Sequence, residues 1–125
     1  MYFKLETCFK PYVRMTRGGK WVKPKAQEYL SSQRNLANEF KRQMAEQGRT
    51  MVPRGVPIAI ISLAIHHAHG FNNRDLDNEV KAVLDAAQGV VFEDDRWIDE
   101  ISAWRQRGDK CEIALYLEDG RESDD

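Results

Sequence analysis

The sequence predicts a two-layer α+β domain, a mixed sheet of about four or five strands carrying one long helix and one short active-site helix. Three observations point there. Apolar residues recur at three- and four-residue steps from Ala26 to Met44. A nearly continuous β-branched run spans residues 56–65. Two further segments, 98–104 and 111–117, carry the residue types of strands.

The chain has 125 residues, enough for one domain with a single core. Hydrophobic residues at 42% and charged residues at 31% describe an ordinary soluble globule. No apolar run approaches the roughly 20 residues of a membrane span, and the opening Met1 to Glu6 has no signal-peptide core. The expected setting is therefore the cytoplasm, with Cys8 and Cys111 reduced. The net charge of −1 conceals an asymmetry. Residues 1–54 hold 12 Lys and Arg against 4 Asp and Glu, a balance of +8; residues 55–125 hold 7 against 16, a balance of −9. Such halves suit a protein that grips a polyanion and cuts it at a carboxylate-held metal. They also suit halves that neutralise one another within one fold.

Residues 2–9 alternate loosely and suit a first strand. The next stretch carries Lys10, Arg14, Arg17, Lys20, Lys23 and Lys25 with no acid, around Gly18-Gly19. Cations flanking a Gly-Gly tip can close on a backbone phosphate, and Tyr12 and Trp21 can stack on bases. A solvated basic loop is the plainer alternative. Pro24 fits a first helical position, and the stripe of Ala26, Tyr29, Leu30, Leu36, Ala37, Phe40 and Met44 extends the helix to Gln47, before Gly48. This helix belongs to the core. The 56–65 run reads as a strand covered on both faces, or on one face with a second copy on the other; Pro57 confines its start to an edge or an end.

His66-His67-Ala68-His69 follows. His67 and His69 would share a face in an extended chain, yet no third ligand stands at a recognised zinc spacing. A polar strand end leading into an active-site loop is the better reading, and Phe71 to Arg74 forms that loop.

The chemistry gathers at Arg74-Asp75-Leu76-Asp77-Asn78-Glu79-Val80-Lys81 and Glu93-Asp94-Asp95. Val80, Val83, Leu84 and Ala87 give the helix a buried stripe, with Asp77 expected as its N-cap. Carboxylates repel one another, and a cluster this dense implies a cation; hard oxygen ligands select Mg²⁺ or Mn²⁺. The structural alternative makes Asp77 a cap, Asp75 a turn residue and Lys81 half of an ion pair with Asp85, but capping accounts for one acid only. An EF-hand is excluded because Val80 stands where that loop needs glycine. Segments 98–104 and 111–117 are expected to pair around Arg107-Gly108-Asp109. If they return beside the helix start, Asp95 faces Asp75 and Asp77. Residues 1–117 form the expected domain, and 118–125, with five acids and one Arg, an acidic disordered tail.

Asp75-Leu76-Asp77-Asn78, Lys81 and Asp85, followed by Gly89-Val90-Val91-Phe92-Glu93-Asp94-Asp95 and Ile98, resemble the RusA family of Holliday junction resolvases of prophages and bacteriophages. The specific likeness spans Arg74 to Ile101. The resemblance implies a homodimeric, Mg²⁺-dependent endodeoxyribonuclease that nicks four-way DNA junctions symmetrically in recombination and repair, in a bacterial or phage-infected cell. It implies that Asp75, Asp77 and Asp95 are the catalytic, metal-holding acids and Lys81 the essential lysine. Asn78 matches the motif and is expected to orient the acids; Asp85 and Asp94 support the site. Lys10, Arg14, Arg17, Lys20, Lys23, Lys25 and Arg74 are expected to bind DNA. Two departures touch substrate contacts: Trp97 stands where the family usually has glutamine, and Lys10-Pro11-Tyr12-Val13-Arg14 has part of the Pro/Arg-rich pattern. Three rivals share features of this reading: a nuclease for flaps or other branched DNA, a non-catalytic DNA-binding module, and a structural cation-binding protein.

Overall fold

The β-branched run becomes an inner strand with a neighbour on each side, and the rest of the domain is arranged around it. A computed structural model of the chain describes residues 1–7, 24–68 and 75–120 (for 24–26, the backbone alone). In order come strand β1 (Tyr2–Glu6), helix α1 (Pro24–Gln47), strand β2 (Ile58–His67), helix α2 (Leu76–Ala87), a 3₁₀ turn (Asp95–Trp97), strand β3 (Ile98–Arg107) and strand β4 (Glu112–Asp119). The four strands form one mixed sheet in the order β1-β4-β2-β3. Strand β4 is antiparallel to β1 and to β2, while β3 runs parallel to β2.

The α+β class with a mixed sheet and two helices is as the sequence indicates, and α1 runs between the expected ends. The stripe of Tyr29, Leu36, Phe40 and Met44 is buried, and Gly48 closes the helix with a φ of 63° that other residues adopt at a cost. The strand neighbours differ from expectation. Strands β3 and β4 do not pair with each other; β2 lies between them and pairs with both. Alternation reveals a strand and its faces but not its partner, and four connecting residues are enough to pass over one strand, about 9.6 Å.

Strand register places both helices on one face. Leu5, Ile113, Ile65 and Arg105 lie side by side across the sheet. On that face Phe3 meets Phe40 of α1 edge-on, with centroids 5.1 Å apart, and Arg105 meets Glu79 of α2. The core between the layers holds Phe3, Leu5, Phe40, Ile60, Leu63, Ile65, Val83, Phe92, Ile113, Leu115 and Leu117. Gln33 Nε2 donates to Ala82 O at 3.0 Å and joins the helices. The other face carries the row Lys4, Ala114, Ala64 and Trp104, with no helix over it among the described residues.

Strand β4 continues to Asp119, which is buried, so the first two residues expected in the tail belong to the sheet; residues 121–125 lie outside the described residues. At the far end of β4, Lys110 pairs with Glu6, which holds the Glu6 carboxyl below its usual range and raises Lys110. Cys111 is disulfide-bonded, contrary to the expectation of reduced thiols; Cys8, the other cysteine, lies outside the described residues. No helix among the described residues is long and apolar enough to cross a membrane.

Phe40 is fully buried and is the main side chain by which α1 grips β1. Phe40→Ala should cost about 3–5 kcal/mol, a large share of the stability of a domain of this size, read as a lowered urea midpoint. A loss under 1 kcal/mol would show that α1 is held elsewhere.

Candidate active site

Helix α2 begins two residues earlier than its polar residues suggest. Leu76 joins the apolar stripe with Val80 and packs on the core, which draws the start of the helix back to it. The N-cap is therefore Asp75, in extended backbone, and not Asp77. Asp75 O accepts the first helical hydrogen bond from Glu79 N at 3.2 Å, while the Asp75 carboxylate makes no capping bond. Asp77 lies in the first turn, where Asn78 N donates to its Oδ1 at 3.0 Å. Both acids are exposed, and the positive end of the helix dipole favours them there. Lys81 follows one turn after Asp77, with its Nζ 3.1 Å from Asp85 Oδ2. An exposed pair of that kind contributes only about 0.2–0.5 kcal/mol.

The second acid cluster rides on a tight turn after α2. Gly89 has a φ of 85°, and its N–H donates to Phe92 O at 2.7 Å. Val52 N donates to Val91 O and Glu93 N to Val52 O, both at 2.9 Å, which lashes this turn to the segment before β2. The three acids have different tasks. Glu93 accepts from Arg54 N at 3.0 Å and lies 3.6 Å from Arg54 Nε, so it fastens the turn. Asp94 caps the 3₁₀ turn, accepting from Arg96 N at 3.1 Å. Asp95 is held through its backbone, its N–H donating to Gln88 Oε1 at 3.1 Å, and its residue is exposed. Trp97 is half-buried beneath the Arg96 guanidinium, 5.5 Å from its ring centre.

Asp75 and Asp77 thus sit at one end of α2, and Asp95 is tied to the other. Twelve helical residues at about 1.5 Å each separate those ends by about 18 Å. The expected meeting of Asp95 with Asp75 and Asp77 does not occur within one chain. Among the described residues no group of three His, Cys, Asp or Glu is placed to share one metal ion. The expected DNA contacts at Lys10, Arg14, Arg17, Lys20, Lys23 and Arg74 lie outside the described residues, and of Lys25 only the backbone, in the first turn of α1, is described.

The motif of α2 and the second acid cluster both fall inside the span, residues 7–118, that matches the family model for endodeoxyribonuclease RusA. The chain belongs to the RusA endodeoxyribonuclease family. No curated protein matches it. Membership gives the RusA chain its general chemistry, the cleavage of DNA phosphodiesters.

The chain also carries a buried polar cluster that its sequence did not bring to notice. Glu79 is 3% exposed; its Oε2 is 2.8 Å from His67 Nε2 and its Oε1 3.5 Å from Arg105 Nη1. The Glu79–His67 approach is a close polar contact rather than an aligned hydrogen bond. His67, 2% exposed, belongs to the core; the zinc alternative would need its ring turned outward, and His69 lies outside the described residues. A signal was present. Glu79 is three residues after Leu76 and four before Val83, on the apolar stripe, and His67 is two after buried Ile65.

Gly89 alone allows the turn that carries Glu93, Asp94 and Asp95 away from α2 in this conformation. Gly89→Ala should destabilise the fold by about 1–2 kcal/mol, because a Cβ is strained at that φ although nothing crowds it. Gly89→Asn, which tolerates left-handed backbone, should recover most of the loss in the same urea titration.

Proposed function

We propose that the chain is a homodimeric, Mg²⁺-dependent endodeoxyribonuclease, with Mn²⁺ as a substitute, that resolves four-way DNA junctions by paired symmetric nicks in recombination and repair. The observation that carries the reading is the placing of Asp75, Asp77 and Lys81 on the exposed opening turns of α2, in a chain matched to its family over residues 7–118.

The donor set fits a hard cation, since Asp75 and Asp77 offer exposed carboxylates and the Asp75 side chain is not used as a cap. When bound, the cation polarises the scissile phosphate and lowers the pKa of an attacking water. Asp75 and Asp77 hold the site's negative charge, Asn78 steadies the Asp77 carboxylate through its backbone N–H, and Lys81 leaves Asp85 to neutralise charge growing on the phosphoryl oxygens. Water adds to phosphorus, the bond to the leaving sugar oxygen breaks, and the proton released passes to solvent. The basic residues 10–25 supply counterion-releasing contacts to the junction arms.

The separation of the acids supports the homodimer. A two-fold axis that brings Asp95 of a second copy to Asp75 and Asp77 of the first does the reverse as well, so both sites close together. The sheet face with no helix over it among the described residues offers a surface for that copy, with Trp104 and Ile61 each 41% exposed and Tyr2 51% exposed. Two linked sites also suit the symmetry of a four-way junction.

Asp77→Asn and Asp95→Asn should each lower Mg²⁺-dependent junction cleavage by at least about 100-fold, while metal-free gel-shift affinity stays level or rises as repulsion of phosphate falls. Wild-type cleavage rates in both variants would overturn the reading.

A mixing experiment tests the shared site. Asp75→Asn and Asp95→Asn proteins, each inactive alone, form mixed dimers after subunit exchange in which one site carries both substitutions and the other neither. Nicking of one strand should reappear, measured on a junction labelled in each arm. Continued inactivity of mixed dimers, verified by mass, would place all three acids in one subunit's site.

A further inference from the structure

Glu79 lies two residues after Asp77 and two before Lys81, yet it points into the protein while they point out. Its backbone N–H bonds to Asp75 O, so Asp75 and Glu79 move as one turn. Its carboxylate is reached by His67 from the end of β2 and by Arg105 from the end of β3, one on each oxygen. Those two strand ends are themselves joined, because Gly108 N donates to His67 O at 3.1 Å. An aliphatic residue at position 79 would satisfy the stripe and bury well, so burial does not call for a charge. What charge adds is direction. An apolar contact tolerates a helix that slides or rotates by a fraction of a turn; a buried carboxylate set between a histidine ring and a guanidinium on two strands tolerates less, although neither contact is an aligned hydrogen bond.

We propose that Glu79, gripped by His67 and Arg105, is a positioning residue that fixes the first turn of α2 so that Asp75 and Asp77 present their carboxylates to the cation. The inference rests on the proposed function and adds to it a residue outside the metal-holding set. Such outer partners orient the groups that hold a metal, and their loss weakens metal binding by about 10- to 100-fold.

Two variants test it. Glu79→Gln keeps the shape and removes the charge. The triple change His67→Leu, Glu79→Leu, Arg105→Met replaces the whole cluster with apolar side chains, which commonly preserves stability where removal of one partner does not. Each is measured in four ways: thermal unfolding, amide hydrogen exchange of residues 77–81 without metal, Mn²⁺ binding by electron paramagnetic resonance, and junction cleavage against Mg²⁺ concentration. The triple variant should melt near the wild-type temperature. Exchange of the first-turn amides should quicken about tenfold while that of α1 is unchanged, and the Mn²⁺ and Mg²⁺ concentrations for half-saturation should rise about tenfold, more than the saturated rate falls. A folded triple variant with wild-type exchange and wild-type metal dependence would overturn the proposal and leave the cluster a stability element. Exchange stands apart from catalysis: a wild-type protein that bound no Mn²⁺ and cut no junction would refute the proposed function, whereas unaltered exchange in the variants would refute the clamp.

Discussion

The parallel pairing of β2 with β3 is the constraint from which the rest of the molecule follows. Parallel neighbours cannot be joined by a tight turn, so the chain must leave the end of β2, cross the sheet and re-enter beside the start of β2. Helix α2 is that crossing. Its first turn is thereby set at the ends of β2 and β3, and its last turn at their beginnings. One pairing thus fixes the Asp75 end of the site, the Asp95 end and the distance between them.

The same constraint explains why a charged residue is tolerated in the core. A crossover helix packed only through Leu76, Val80, Val83 and Leu84 has a face but no stop along its axis. Arg105 and His67 reach Glu79 because parallel strands bring their ends to the same side of the sheet. At the opposite end of α2, Gln88, Glu93 and Arg54 perform the corresponding task with exposed polar contacts, which suits a turn that must carry Asp95 to the surface.

Sequence carried a good deal of this. Helix α1 was legible to its ends, since an amphipathic stripe bounded by Pro24 and Gly48 leaves little choice. The exposure of Asp75, Asp77 and Lys81 was legible, because paired carboxylates followed by lysine are costly to bury. What could not be read was adjacency. The alternation of β3 and β4 says nothing of β2 lying between them, and once that strand is inserted Asp95 moves from the start of α2 to its end. The cap at Asp75 depended on whether Leu76 would find the core. Glu79 was readable in principle, since its spacing places it on the stripe, but a lone acid among polar neighbours draws no notice until its partners on two other elements are known.

The place of β4 in the sheet has a bearing on how the protein is made. Among the described residues this is the one strand that pairs with β1, and it is also the second neighbour of β2. On a ribosome it emerges after the other described elements, and the bond from the Met1 amine to Leu117 O joins residues 116 apart. Until then the nascent chain holds α1 and the β2-α2-β3 unit, with one side of β2 unpaired and the first strand waiting for β4. Closure of the sheet by β4 is a late and long-range step, of the kind that slows folding. The contacts of Glu79 with His67 and Arg105 lie wholly within the earlier unit, so the first turn of α2 can be set in place before the domain that surrounds it is complete.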